Sequence, residues 1–192
     1  SNRDIDTNEN NGLGTVEAAD YFGADLSLDY DSTLNRHRLA VLSRDDHGLN
    51  NPNGTGDAAQ EGAVYLFTFT DDSFSGGSHV GTIGHSYTTL AGTGTDSSFN
   101  LNDLDTIGSK AWSGPLTSVA LDGNYLAVGA GYTTVVTTPA AAGNGQVQIF
   151  SFTNNTTATQ FNNIEKEGIL CGVTGCSDSQ TRLRNVAVIP TA

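Results

Sequence analysis

LDGNYLAVGAG, Leu121 to Gly131, restates an earlier stretch of the same chain, LDYDSTLNRHRLAVLSR, Leu28 to Arg44. Each writes Leu-Asp, a polar excursion, then Leu-Ala-Val. A Leu-Asp pair ending one alternating segment, followed by turn formers and a short apolar run, is the pattern of two strands and their connection. Two copies predict two hairpins of one design. Self-similarity of this kind marks a repeat architecture, in which a unit too small to bury both its faces must stack on a neighbour.

Working outward, FGADLSLD (Phe22 to Asp29) alternates, with Leu26 and Leu28 on one face. RLAVLS (Arg38 to Ser43) reads as a strand buried on both faces. GAVYLFTFT (Gly62 to Thr70) places Val64, Leu66 and Thr68 on one face and Ala63, Tyr65, Phe67 and Phe69 on the other. SHVGTIG (Ser78 to Gly84) is a weaker fourth strand. The series then restarts with LTSVALD (Leu116 to Asp122), YLAVGA (Tyr125 to Ala130) and GQVQIFSF (Gly145 to Phe152). A partial third copy is expected in DSQTRLRNVAVIP (Asp178 to Pro190), with Val186-Ala187-Val188 over Leu39-Ala40-Val41. The expected organisation is a polar segment over 1–20, a first unit with its connector over 21–100, a second over 101–165, and a partial third over 166–192. Helix signal is confined to one turn around Gly14 to Asp20.

Composition agrees with an all-β chain: 23 Gly, no Met, and abundant Thr, Asn, Ser and Asp. Eight Lys plus Arg against 21 Asp plus Glu give a formal net charge of −13. Such a surface repels nucleic acid and anionic lipid. No apolar run approaches the about 18 residues of a membrane-spanning helix. The absence of Met reads as a processed or trimmed chain, and the whole composition as extracellular or cell-surface. Cys171 and Cys176 in CGVTGCSD suit a local disulfide in an oxidising compartment; the alternative is two free thiols.

The residues YFGADLSLD…RLAVLSRDDHG…GAVYLFTF resemble the FG-GAP repeat of integrin α-subunit β-propellers, and most closely its variety in large bacterial surface proteins. Phe22-Gly23, Leu28-Asp29, Leu39-Ala40-Val41 and Gly62 to Phe67 carry the first unit. Leu121-Asp122-Gly123, Leu126 to Ala130 and Val147 to Phe150 carry the second. FSGGSHVGTIG (Phe74 to Gly84) is similar to the connector of those repeats. In the second unit Ser113 to Val119 stands where Phe-Gly would be, and the acidic calcium motif of integrin repeats is not intact. The resemblance implies antiparallel four-stranded units, arranged as propeller blades or as open stacked sheets. It also implies surface adhesion or structural assembly. Two or three units do not close a propeller of about four to eight blades, so further units or further copies would complete it.

Chemistry concentrates in few places. The loop carrying Asp45, Asp46, Asn50, Asn51, Asn53 and Asp57 offers the oxygens of a calcium site, or is a solvated polar turn. His79 and His85 are either a metal pair or two exposed polar residues; His37 and His47 stand apart. Trp112 is either a platform for a sugar ring or a hydrophobic anchor for its connector. No hydrolase or phosphate-loop motif is present, and no carboxylate pair is singled out for glycoside hydrolysis. The expected function is a non-enzymatic adhesion or structural module with a protein or glycan as partner, and calcium at that loop is the expected rigidifier. The alternatives are a self-assembling filament subunit whose partner is a copy of itself, joined by strand exchange, and a secreted glycan-binding or glycan-hydrolysing protein.

Overall fold

The computed structural model describes residues 20–46, 62–84, 99–100, 116–135, 141–153 and 161–171. The described residues form two sheets and no helix. The first sheet has the order β1 (Phe22–Asp31), β2 (Arg36–Ser43), β3 (Ala63–Thr68), β4 (Ser78–Gly84) and β5 (Phe99–Asn100). Its first four strands are antiparallel, and the two-residue β5 joins β4 in parallel. The second sheet runs β6 (Leu116–Asp122), β7 (Tyr125–Val135), β8 (Ala141–Thr153) and β9 (Asn162–Cys171), all antiparallel.

Local chemistry sets each hairpin. After β1 the Asp31 carboxylate accepts from the amides of Thr33 (2.9 Å) and Leu34 (3.2 Å), and Asn35 takes a positive φ of 53°. Asn is among the few residues that tolerate this conformation. β6 and β7 join through Gly123-Asn124, with Gly123 at φ 55°, as a primed two-residue turn with glycine first requires.

The two sheets share one register. Leu26 faces Val41 and Leu28 faces Leu39; Val119 faces Val128 and Leu121 faces Leu126. Val41 then faces Tyr65 as Val128 faces Gln148, and Leu39 faces Phe67 as Leu126 faces Phe150. Even the irregularity between β3 and β4, at Leu66/Phe67, recurs between β8 and β9 at Ile149/Phe150. The repetition in sequence is therefore a repetition of hydrogen-bonded geometry. Phe22 pairs with Ser43 as Leu116 pairs with Ala130, so Leu116 occupies the station of the missing aromatic. β9 is the fourth strand of the second unit, with Gly168 opposite Ile149 as Gly81 is opposite Leu66. It runs across the boundary expected between residues 165 and 166, and the second sheet extends to Cys171. The expected third copy at 178–190 and the turn at 14–19 lie outside the described residues.

The core lies between the sheets. Ala40, Leu42, Val64, Leu66 and Ile83 of the first sheet pack with Val119, Leu121, Leu126, Val128 and Phe150 of the second. Each sheet thus contributes a different face. The second sheet uses the face of Val119, Leu121 and Val128, whose register counterparts in the first sheet, Leu26, Leu28 and Val41, lie on the opposite side from the core. The stacking is head to tail. Gly62 sits at this junction with φ 81°, and a Cβ there would lie 2.7 Å from both the Arg44 carbonyl oxygen and Leu116 Cγ. Only glycine satisfies both the backbone angle and the close approach.

Candidate functional site

Two arrangements of side chains stand out: a polar seam joining the sheets, and an apolar strip on the outer face of the first.

The seam begins on β1. Asp25 Oδ2 accepts from the Val119 amide at 2.8 Å, and Ser27 Oγ from the Leu121 amide at 2.9 Å. These amides belong to β6, which among the described residues is an edge strand with no strand partner on that side. Side chains of the first unit thus satisfy backbone donors of the second, which would otherwise be costly to bury. Beside them Arg38, 1% exposed, pairs with Asp29 and donates to the Gly123 carbonyl at 2.7 Å. Its guanidinium lies 5.4 Å from the ring centroid of Phe152 and 5.7 Å from that of Phe161. A charge this deep is tolerable only when paired and hydrogen-bonded. The alternation in FGADLSLD correctly places Leu26 and Leu28 together, but Asp25, Ser27 and Asp29 are the residues turned toward the second sheet.

The strip follows from that inversion. Leu26 is 60% exposed, Leu28 48% and Tyr30 44%, whereas Val119 and Leu121, at the register positions of the two leucines, are 7% and 6% exposed. Leaving a leucine in water forgoes about 1.5–3 kcal/mol of burial. Beyond Tyr30 the strip becomes aromatic. His37 contacts Tyr30 (centroids 5.1 Å apart) and stacks on Phe74 at 4.1 Å with an interplanar angle of 9°. Phe69 meets the edge of Phe74 at 5.2 Å.

Phe74 is half exposed and holds φ at 61°, a conformation that costs a non-glycine residue on the order of 1–3 kcal/mol. The β3–β4 loop sustains it. Asp71 Oδ1 accepts from the Ser73 amide (2.9 Å), the Ser73 hydroxyl (2.7 Å) and the Ser75 amide (3.1 Å), while the Thr70 amide donates to the Ser75 carbonyl at 2.9 Å. The Ser73 hydroxyl and the Ser75 backbone bond foremost draw the Asp71 carboxyl down to about 2. Further along the same face, Phe22 packs edge-on to Tyr65 at 5.4 Å. His79, near Tyr65 and Phe67, shares a hydrogen bond with Thr82 Oγ1 at 2.9 Å.

The structure brings together only part of the set read as a calcium loop. Asp45 and Asp46 lie at its base, where the Gly62 amide donates to the Asp46 carbonyl at 2.9 Å. Both carboxylates are buried and engaged: Asp46 Oδ2 accepts from the Tyr65 hydroxyl at 2.6 Å, and Asp45 Oδ1 from Arg44 Nε at 3.1 Å. Asn50, Asn51, Asn53 and Asp57 lie outside the described residues, as do Trp112, His47, His85 and Cys176. Cys171 ends β9 opposite Gln146. Among the described residues, no three His, Cys, Asp or Glu side chains gather as metal ligands. His79 is part-buried against Tyr65 and Phe67 and is not an exposed polar residue. The strip is not legible in the local patterns: the alternation of FGADLSLD stops short of Tyr30, and Phe74 lies within the stretch that reads as a connector. The available signal was an aromatic set inside a turn of Asp, Ser and Gly.

No family model, curated protein or solved structure matches the chain.

Proposed function

We propose that the chain is a non-enzymatic module of an extracellular or cell-surface protein. Its β units are FG-GAP-like and stack as propeller blades or as an open series, and the outer face of the first sheet meets a protein or glycan partner. The observation that carries this reading is the strip of Tyr30, His37 and Phe74, with Phe74 maintained in a costly backbone conformation while half in water. Exposed aromatic faces suit the CH faces of sugars and the apolar centres of protein interfaces, and local strain is characteristic of functional positions. The polar side chains between the sheets are committed to joining them, as a scaffold requires. Calcium belongs to the same reading as a rigidifier of the loop bearing Asp45, Asp46, Asn50, Asn53 and Asp57.

Retention of the immobilised chain on panels of glycans and of extracellular proteins tests this. A partner should be retained by the wild type and lost about ten-fold or more with Tyr30→Ala and Phe74→Gly, both of which should melt as the wild type does. Binding indifferent to both substitutions would sink the reading. Calcium added back after chelation should raise the melting temperature; an unchanged value would remove calcium from the account.

The second reading, a self-assembling subunit of a surface filament, is favoured by Leu26 and Leu28 standing in water where their counterparts Val119 and Leu121 are buried.

A further inference from the structure

We infer that the outer face of the first sheet is a stacking surface for a second copy of this chain, which seats the outer face of its second sheet there. This rests on reading that outer face as a recognition surface, and it names the occupant.

The argument comes from the repeat. Within one chain the junction is already present: the second sheet's face of Val119, Leu121, Leu126 and Val128 lies on the first sheet's face of Ala40, Leu42, Val64 and Leu66. The shared register shows what each sheet leaves uncovered. The first presents Leu26, Leu28 and Tyr30 where the second has its buried face. The second presents Tyr125 (45% exposed) and Val147 (36% exposed) at the register positions of Arg38 and Val64, which the first sheet buries. Among the described residues, one molecule therefore carries both halves of the contact it makes internally, one on the outer face of each sheet. A contact between unlike faces leaves one of each free and propagates.

The intermolecular junction is a weakened version of the internal one. Ser118 stands at the station of Asp25 and keeps a side-chain acceptor; Ala120 replaces Ser27 and Tyr125 replaces Arg38, so the second hydrogen-bond station and the buried cation are lost. Association is accordingly expected at high protein concentration.

Sedimentation velocity of the whole chain from about 10 µM to about 1 mM reads this directly. The wild-type average mass should rise with concentration and continue beyond a dimer. The double variants Leu26→Asp/Leu28→Asp and Tyr125→Asp/Val147→Asp, each checked for a wild-type circular dichroism spectrum, should stay monomeric. Their equimolar mixture should form a one-to-one dimer and stop, because each contributes the face the other lacks. A wild type that is monomeric throughout overturns the inference, as does a mixture no heavier than its components. Undiminished association of the Tyr125→Asp/Val147→Asp variant also overturns it, since the first-sheet face would then be pairing with itself. A monomeric wild type whose retention on a foreign partner is abolished by Leu26→Asp/Leu28→Asp assigns the face to that partner: the inference falls and the adhesion reading stands. Retention indifferent to Tyr30 and Phe74 alongside a capped dimer is the reverse case.

Discussion

The carboxylate of Asp25 in the first sheet accepts the backbone amide of Val119 in the second at 2.8 Å, and this bond, with its companion from Leu121 to Ser27, fastens one repeat to the next. Replacing Asp25 by Ala leaves a part-buried amide without its acceptor, a loss of about 1–3 kcal/mol. Asp25→Asn keeps an oxygen in place and should recover most of it. Urea unfolding of the two variants decides this: equal midpoints would mean that the bond to Val119 contributes nothing measurable.

Arg38 binds the same junction by charge. Arg38→Met should destabilise by about 3–5 kcal/mol, because it abandons Asp29 inside the seam. Adding Asp29→Leu removes the stranded charge and should restore much of the stability, a non-additivity that a double-mutant cycle measures. Strictly additive losses would show that the two residues act independently.

Gly62→Ala tests how closely the units approach. The side chain meets a backbone carbonyl and Leu116 in a left-handed conformation, so a loss of about 1–3 kcal/mol is expected, visible as a lowered melting temperature. Gly123→Ala has a similar φ but open space around it, and should cost only about 1 kcal/mol. Equal costs would mean that the backbone angle alone matters.

His79 should make the first sheet sensitive to acid. Burial pushes its pKa from 6.5 down to about 4, against a hydrogen bond with the Gly81 backbone that raises it. The unfolded chain therefore takes up this proton more readily than the folded one. Its contribution is complete above about pH 6.5 and declines as the pH falls toward 4, by at most on the order of 1.4 kcal/mol per unit. Urea midpoints between about pH 7 and pH 4.5 should show that slope in the wild type, and a reduced one in His79→Gln. An identical slope in both would place the sensitivity elsewhere.

Much of this architecture was legible in the chain. Alternation in FGADLSLD and AVYLFT, and the recurrence of Leu-Ala-Val, are local patterns, and they locate the first four strands of the first sheet and the first three of the second because strand side chains alternate whatever lies beyond them. β9 escaped because NNIEKEGILC interleaves three charged residues with its apolar ones. Its membership is decided by β8, which pairs with it in the register, and with the irregularity, that β3 uses for β4. The aromatic strip escaped for a related reason: Tyr30, His37 and Phe74 lie on different elements and meet only across the β1–β2 pairing and the β3–β4 loop.

By itself, then, the sequence determined that this chain is all-β and says one thing twice. Periodicity and turn chemistry act between neighbouring residues and need no distant partner. Only the tertiary structure decided which side of each sheet the repetition would bury. Leu26 and Val119 hold the same place in the same pattern, yet one stands in water and the other in the core, because a sheet's two faces are told apart by what stacks on them.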